Sequence, residues 1–242
     1  MMAGLGGIST SIGGYVLAGG RSTRMGRDKA LLELGGRSFV QHAVRKLQCL
    51  ADEVFILSNR PEFATLAPLV PDLRESSGPL SGIEAALAHT SREWILVLPV
   101  DMPFLPRILL ERWVHRTIEH PFARVALFKV EGVLQPALCL LHREVAPFVT
   151  KAAGEGRFKL YPVMDEATTA LAVQLEVGAD KVLLHQLWDD EAANEFLSSQ
   201  RSGEKPMIFS DTQLAAKDLW FANLNTPEEF AKARLYEAAL DI

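Results

Sequence analysis

The chain contains 242 residues, of which 48% are hydrophobic and 23% are charged, and its formal net charge is −5. This composition is typical of a soluble globular protein, and the length suits one large domain with a single core. The acidic balance argues against a nucleic-acid-binding protein, since affinity for phosphate backbones depends on clustered lysine and arginine, and the apolar segments are too short to cross a bilayer.

Short apolar runs alternate with helical patterns along the first half of the chain. After a Gly- and Ser-rich segment at 1–11, interpreted as a mobile tail, strands are predicted at 12–18, 54–57, 69–70 and 94–98. Helices are predicted to begin at Ser38, Pro61, Ile83 and Pro106, with a loop at 75–82 before the third of them. This alternation predicts an α/β fold with a doubly wound, mostly parallel sheet and right-handed crossovers. Ligands of such sheets bind outside the carboxyl ends of the strands.

The second half of the chain is less regular. Strands are predicted at 125–128 and 137–141, and helices from Arg143 and from near Gly156. Residues 167–217 are interpreted as an insertion, with an alternating strand at 171–177 and an acidic helix at 189–199.

The end of the chain shows a strand pattern followed by a helix start. A last strand is predicted at 220–225, and the next helix is expected to run to Leu240. Thr226 and Glu229 at its start form the pattern of a capping box. Residues 12–242 are therefore expected to form one domain.

Cysteine and histidine usage gives no sign of a metal centre. Cys49 and Cys139 each lie in an apolar stretch, which predicts buried free thiols and no redox couple. The six histidines have no metal-ligand spacing. The N-terminus lacks a signal-peptide pattern, so the sequence predicts a cytoplasmic protein.

A loop of glycines and cations follows the first strand. Gly19 and Gly20 precede three arginines and one lysine within nine residues: Arg21, Arg24, Arg27 and Lys29. Paired glycines let consecutive backbone N–H groups approach one anion, and the cations would repel one another unless a negative group lay among them. We interpret this loop as a triphosphate site, although it is neither a Walker loop nor a dinucleotide fingerprint. The alternative is a glycine turn followed by a solvated basic loop.

The order of these residues resembles a nucleotidyltransferase signature. The segment LAGGRSTRMGRDK at 17–29 is similar to the L-A-[GA]-G-x-[SG]-x-R-[ML]-G…K loop of the molybdenum-cofactor nucleotidyltransferases. In that family the loop wraps the phosphates of a nucleoside triphosphate. The resemblance implies that Arg24 and Lys29 neutralise charge during transfer. It also implies backbone contacts to the nucleotide from Leu17, Ala18, Gly19 and Gly20.

Asp101 is the candidate ligand for Mg²⁺. Nucleotidyl transfer joins two anionic partners, and Mg²⁺, which prefers one or two carboxylates beside phosphate oxygens and water, commonly screens their charge. Asp101 follows the strongest predicted strand and is flanked by Pro99 and Pro103. In the resembling family a P-x-D-x-P turn supplies the metal-binding aspartate. The alternative is that Asp101 caps the helix that starts near Pro106.

Three further segments are similar to motifs of that family. The ending N-x-N-T-P-E-E matches residues 223–229, which implies that Asn223 and Asn225 lie at the rim of the active site, near the metal or the second substrate. Asn225 could instead only shape the start of the helix. The G-P-L-x-G loop, beside the base and the pterin, matches Gly78, Pro79, Leu80 and Gly82, and an aspartate that contacts the nucleotide corresponds to Asp72. The family's asparagine on the second strand aligns with Leu57, close to Asn59.

The resemblance implies a Mg²⁺-dependent transfer of GMP from GTP to molybdopterin carrying molybdenum, with release of pyrophosphate. Gly19 favours guanine, because cytidylyl-transferring relatives tend to have alanine there. Cofactor-delivery or acceptor proteins are further possible partners. The alternatives are a cytidylyltransferase on the same cofactor, a sugar-phosphate nucleotidyltransferase, and a nucleotide-binding regulator or carrier without turnover.

Overall fold

One seven-stranded sheet with helices on both faces organises the chain in the computed structural model, which describes residues 11–19, 29–74, 78–202, 204 and 206–241. The strands are β1 (Ile12–Leu17), β2 (Glu33–Leu34), β3 (Arg37–Ser38), β4 (Glu53–Leu57), β5 (Leu69–Val70), β6 (Trp94–Pro99), β7 (Val125–Val130), β8 (Val133–His142) and β9 (Leu183–Trp188). The helices are α1 (Phe39–Gln48), α2 (Pro79–His89), α3 (Arg107–Ile118), α4 (Ala146–Gly154), α5 (Leu160–Leu175), α6 (Ala179–Val182), α7 (Asp190–Ser198), α8 (Asp211–Ala215) and α9 (Pro227–Ala233). Five 3-10 helices complete the described elements, at Lys29–Leu31, Pro61–Thr65, Arg143–Val145, Lys217–Leu219 and Arg234–Ala239.

The order of strands across the sheet is β5-β4-β1-β6-β8-β7-β9, and β2 pairs only with β3. β1 lies between β4 and β6 and is parallel to both. β8 is antiparallel to both of its neighbours, β6 and β7. The predicted doubly wound, mostly parallel sheet is therefore confirmed. The carboxyl ends of β1, β4 and β6 share one edge of it.

The alternation of side chains along β1 divides the core between the two faces of the sheet. Every residue of β1 is buried, which explains its unbroken apolar character. Val16 packs on one face with α1, α3 and the C-terminal segment. Tyr15 and Leu17 pack on the other face with α2, α4 and α5. Ser38 caps α1 through a capping box with Gln41, as the sequence predicts for this helix start.

The strand predicted at 171–177 is wrong, because α5 runs through it to Leu175. The alternation of apolar and polar residues at 171–177 covers too few positions to reveal the helical period that the whole of α5 follows. The buried residues of α5 recur three or four positions apart: Leu160, Val163, Met164, Ala167, Thr168, Leu171 and Ala172. Glu176 ends the helix in the left-handed conformation, with φ of 56°. The helix also begins four residues later than the predicted start near Gly156.

The strand predicted at 220–225 is also wrong. A 3-10 helix at Lys217–Leu219 precedes the segment, and residues 220–225 form turns and irregular backbone. This described segment does not pair with a strand of the sheet. The Leu224 amide instead donates to the Asp101 carbonyl oxygen at 3.1 Å. The following helix starts as predicted, with the Thr226–Glu229 capping box. It changes to 3-10 geometry at Arg234 before Leu240.

Other boundaries differ where tertiary contacts decide the structure. The predicted loop at 75–82 becomes helical at Pro79, where α2 begins. The segment predicted to start a helix at Pro61 is a short 3-10 helix. The sequence prediction missed β9, which lies at the edge of the sheet parallel to β7. The acidic helix of the predicted insertion is present as α7, whereas the assignment of residues 167–217 as an insertion stays a prediction.

The cysteine prediction holds for one thiol and fails for the other. Cys139 is buried in β8, and its burial raises the pKa of the thiol. Cys49 follows the last turn of α1 and is exposed, so the prediction that it is buried is wrong. No helix among the described ranges combines the length and apolar character needed to cross a bilayer. Apart from Ser11, the predicted mobile tail lies outside the described residues.

An ion-pair cluster attaches the segment around Glu204 to α3. The Glu204 carboxylate, whose side chain is 7% exposed, accepts hydrogen bonds from Arg116 Nε at 2.7 Å and from the Arg201 backbone amide at 2.9 Å. Arg112 Nε lies 3.8 Å from the same carboxylate. The Arg116 hydrogen bond, with the Arg201 amide and the charges of both α3 arginines, lowers the pKa of Glu204 to about 2.

Replacing Glu204 by glutamine is expected to lower the free energy of unfolding by about 3 kcal/mol at pH 7. The reason is that a carboxyl group whose pKa is lower in the folded than in the unfolded state stabilises the folded protein when it is ionised. A carboxyl group with a lowered folded-state pKa stabilises the protein above its unfolded pKa, and this stability is lost as the pH falls. The wild-type advantage over Glu204→Gln should therefore shrink below about pH 4.5 and be roughly halved at pH 3. Urea unfolding of both proteins across this range measures it. A difference that does not vary with pH would contradict the assignment.

Candidate active site

A cleft of about 520 Å³ opens where the carboxyl ends of β1 and β6 meet the start of β8. Its walls come from seven separate segments of the chain. The lining residues are Leu17, Ala18, Gly19, Lys29, Ala30, Pro79, Pro99, Val100, Asp101, Met102, Gln135, Pro136, Ala137, Leu160, Asn223 and Asn225.

Lys29 and Asp101 face each other in this cleft. Lys29 Nζ lies 3.9 Å from Asp101 Oδ2, and the two side chains are 18% and 23% exposed. The same ammonium group donates a hydrogen bond to the Asn225 side-chain oxygen. The structure thus brings together a cation, a carboxylate and an amide that are predicted site residues from three separate motifs.

The backbone holds Asp101 at the edge of the sheet. Asp101 lies two residues after the end of β6, and the amide of the intervening Val100 donates to the Leu17 carbonyl oxygen at 3.3 Å. The Asp101 carbonyl oxygen accepts the Leu224 amide, which ties the turn to the asparagine segment. Burial raises the pKa of the Asp101 carboxyl group, and the nearby Lys29 ammonium opposes that rise. The Asp101 side chain therefore sits where a cation would be favoured.

The two asparagines reach the cleft although they do not lie on a strand. Asn223 and Asn225 are both half-buried and both line the cleft. The Asn225 backbone amide donates to Glu229 Oε2 at 2.6 Å, and the same oxygen accepts the Thr226 amide at 2.9 Å. The capping box of α9 therefore fixes the backbone at Asn225. The predicted alternative, that Asn225 shapes the start of the helix, and a role in the cleft are both compatible with this position.

Only the two ends of the cation-rich loop, 17–19 and Lys29, lie within the described residues. Leu17, Ala18 and Gly19 line the cleft at the end of β1. Gly20 and Arg24, which the sequence analysis assigned to nucleotide binding and catalysis, lie outside the described residues. Their roles stay predictions.

The G-P-L-S-G segment contributes to the cleft in different ways. Pro79 lines it, whereas the side chain of Leu80, the next residue of α2, is fully buried in the core. Gly78 has φ of 73° at the start of α2, a conformation that favours glycine. A Cβ atom on Gly82 would lie 2.9 Å from Leu17 Cδ1, so glycine permits α2 to approach β1 closely. Gly82 therefore does not line the cleft itself but lets α2 pack closely against Leu17, which does.

Asp72 does not line the cleft. It follows β5, two strands away from β1, and burial raises the pKa of its carboxyl group. Its backbone amide donates to Asn59 Oδ1 at 3.2 Å, so Asn59 holds this loop in place. Leu57, at the position where the resembling family has asparagine, is buried. The predicted contact between Asp72 and a nucleotide stays a prediction.

The wall formed by β8 and α5 was not predicted from the sequence. Gln135, Pro136 and Ala137 line the cleft from β8, and Leu160 lines it from the start of α5. Because β8 runs antiparallel to β6, its first residues lie at the carboxyl edge, beside Asp101. In the sequence, the one sign of this wall is that Gln135 and Pro136 interrupt an apolar strand. That interruption does not show that β8 pairs with β6.

The donor set fits a magnesium ion that is shared with phosphates. Within the described part of the chain, no group of three or more His, Cys, Asp or Glu side chains could hold a metal ion by itself. The cleft instead presents one carboxylate, Asp101, beside the amide oxygens of Asn223 and Asn225. Mg²⁺ commonly keeps water and takes phosphate oxygens beside one or two carboxylates, so this set suits it.

The fold and the cleft define an α/β protein of the nucleotidyltransferase fold. A solved molybdopterin-guanine dinucleotide biosynthesis protein A from Archaeoglobus fulgidus superposes with a TM-score of 0.67 at 18% identity, over 94% of this chain and 100% of that chain. A nucleotidyl transferase from Methanothermobacter superposes with a TM-score of 0.59 at 15% identity, over 94% and 98% of the two chains. At these identities the likeness concerns the fold alone.

Residues 14–169 match the MobA-like NTP transferase domain, and the chain belongs to this family. A molybdenum cofactor guanylyltransferase from Pseudomonas aeruginosa is 31% identical over 224 residues, which cover 90% of this chain and 92% of that protein. The protein of the same name from Rhizobium johnstonii is 31% identical over 234 residues, covering 95% and 94%. The family resemblance stated from the sequence is therefore confirmed.

Proposed function

We propose that this protein transfers GMP from GTP to molybdopterin carrying molybdenum, forming the guanine dinucleotide of the cofactor and releasing pyrophosphate. The observation that carries the proposal is the convergence of Lys29, Asp101 and Asn225 in one cleft at the carboxyl edge of the sheet. The names of relatives that match more than nine-tenths of their length support the choice of substrates.

The reaction needs charge screening and alignment. An oxygen of the terminal phosphate of molybdopterin attacks the α-phosphorus of GTP, and the bond from that phosphorus to the oxygen bridging to the β-phosphate breaks. The electron pair of the broken bond leaves with pyrophosphate. Because both reactants are anions and no covalent enzyme intermediate is required, the protein contributes mainly by position and electrostatics.

Lys29 supplies a positive charge to the phosphates. Its ammonium group contacts Asn225 and lies near Asp101, so these two residues position it in the cleft. Asp101 would hold Mg²⁺, and Asn223 or Asn225 would be a further ligand or would contact the second substrate. When bound, that ion screens the charge of the phosphates. Arg24 is proposed to neutralise the leaving group, as the family loop implies.

The choice of base rests on Gly19, which favours GTP over CTP. A sugar-phosphate acceptor and a cytidylyltransferase on the same cofactor remain the alternative enzymes. A regulator that binds nucleotide without turnover would not need a lysine and a carboxylate facing each other in the cleft. The predicted cytoplasmic location and the predicted delivery or acceptor proteins stay predictions.

Purified protein with Mg²⁺, molybdopterin and each nucleoside triphosphate in turn tests the function. We expect pyrophosphate release with GTP and a product whose mass equals that of molybdopterin plus GMP. Product with CTP alone would overturn the choice of base, and product only with a sugar phosphate would overturn the acceptor. Calorimetric binding of GTP without product during long incubation would favour the regulator.

A further inference from the structure

A lysine ammonium group lies buried beneath the turn that carries Asp101. Lys46 belongs to the last turn of α1 and is only 3% exposed. Its Nζ donates a hydrogen bond to the backbone carbonyl oxygen of Pro103. Lysine on a surface helix normally extends its ammonium group into water, and full burial is rare unless the charge is paired. The position of Lys46 therefore needs a specific reason.

The surroundings of Lys46 compensate its charge only in part. Burial lowers the pKa of Lys46 to about 8, and the carboxylate of Asp241 opposes this shift electrostatically. Asp241 is itself engaged elsewhere, because its Oδ2 accepts the Arg107 backbone amide at 2.6 Å and its Oδ1 accepts Gln213 Nε2 at 2.9 Å. A methionine or leucine at position 46 would avoid the cost of burying an ammonium group. Stability alone thus gives no reason for a lysine here.

Pro103 lies two residues after Asp101, and its carbonyl is the point at which α1 holds the turn. On the other side of the turn, the backbone bonds of Val100 to Leu17 and of Asp101 to Leu224 attach it to β1 and to the asparagine segment. The hydrogen bond from Lys46 completes the set, so the turn is held from three directions. Without it, the backbone from Asp101 to Pro103 loses its only side-chain donor that reaches from α1 among the described residues.

We propose that Lys46 is a positioning residue for nucleotidyl transfer, whose ammonium group fixes the turn and thereby the direction of the Asp101 carboxylate in the cleft. The inference rests on the proposed function for its kinetic consequence. A displacement of about 1 Å in a reacting group can lower a rate by about 100-fold, so a residue outside the cleft can control turnover through the turn.

The test compares Lys46→Met with the wild-type protein in two measurements. Methionine keeps an unbranched side chain but removes the charge and the donor. The first measurement is the ratio of the Kd for metal-free GTP to the Kd for Mn²⁺·GTP, by calorimetry, which reports the contribution of the metal contact. We call this ratio the metal gain. We expect Lys46→Met to bind metal-free GTP with a Kd within about twofold of wild type, but its metal gain should be at least about fivefold smaller.

The second measurement is steady-state turnover. The kcat of Lys46→Met should fall about 10- to 100-fold, while its KM for molybdopterin should stay within about twofold of wild type.

A control variant separates positioning from general weakening. Glu204→Gln weakens the attachment to α3 without touching the turn, so its metal gain and kcat should stay within about twofold of wild type. If Lys46→Met does not fold, as circular dichroism would show, Lys46→Gln replaces it, since its shorter side chain retains a polar group.

The outcomes distinguish this inference from the proposed function. An unchanged metal gain together with a kcat within twofold of wild type in Lys46→Met would overturn the positioning role, and so would an equal loss in Glu204→Gln. If the wild-type protein forms no product, the proposed function fails. The metal gain would still decide whether Lys46 directs the Asp101 carboxylate.

Discussion

Asp101→Asn is expected to lower turnover by at least about 1000-fold while GTP still binds weakly. Asparagine has nearly the same shape but no charge, so the backbone bonds that hold the turn should survive. The loss falls on the carboxylate that is proposed to hold Mg²⁺, and electrostatic groups of this kind contribute about 3–4 kcal/mol or more to the transition state. Asp101→Ala should be equally inactive, because it removes the same carboxylate charge.

Steady-state pyrophosphate release and calorimetric titration of GTP, with and without Mg²⁺, measure these effects. The stimulation of GTP binding by Mg²⁺ should be lost in the variant. Asp165→Asn is the matched control, because it makes the same chemical change at an exposed aspartate on α5. A variant at Asp101 that retains near-normal turnover would show that the carboxylate has no role in the reaction.

Lys29→Met should weaken both GTP binding and turnover, in contrast to Asp101→Asn. The Lys29 side chain is 18% exposed in the cleft, and its ammonium group faces Asp101 and Asn225. Loss of a charged hydrogen bond to a phosphate costs about 1.5–3 kcal/mol, which predicts about a 10- to 150-fold weaker affinity for GTP. If the same charge also stabilises the departing pyrophosphate, kcat falls as well, and kcat/KM should fall by more than about 1000-fold.

The same two assays apply, with Lys151→Met as the control at an exposed lysine of α4. Removal of Lys29 also leaves Asp101 without its nearby ammonium, which opposes the rise in the pKa of that carboxyl group. A Lys29→Met protein that binds GTP as tightly as wild type would mean that this cation does not contact the phosphates.

Local patterns were sufficient where a residue's neighbours in sequence decide its conformation. The buried apolar runs predicted β1, β4 and β6, since strands buried on both faces read as unbroken hydrophobic segments. The caps at Ser38 and Thr226 predicted the starts of α1 and α9, because a cap satisfies backbone groups only three residues away. The positions of Asp101, after β6, and of Lys29, after β1, followed from these strands and from the rule for the carboxyl edge, whereas the role of Lys29 followed from the family resemblance.

Where the partner of a segment lies far away in sequence, the same patterns misled. The alternation of apolar and polar residues at 171–177 suggested a strand, but this segment belongs largely to the long helix α5, one face of which is buried by packing against the sheet. The segment at 220–225 had the composition of a strand, yet its described backbone attaches to the sheet edge through the Leu224–Asp101 bond and not through a ladder.

The amino-acid sequence by itself therefore determined the family, the α/β alternation and the main charged residues of the cleft, because each depends on residues that are close along the chain. Only the tertiary structure decided that β8 contributes Gln135 to the cleft and that Lys46 lies beneath the Asp101 turn. These features depend on contacts between residues separated by tens of positions. Such contacts form only when strands pair and helices pack, and no periodicity in a short window records them.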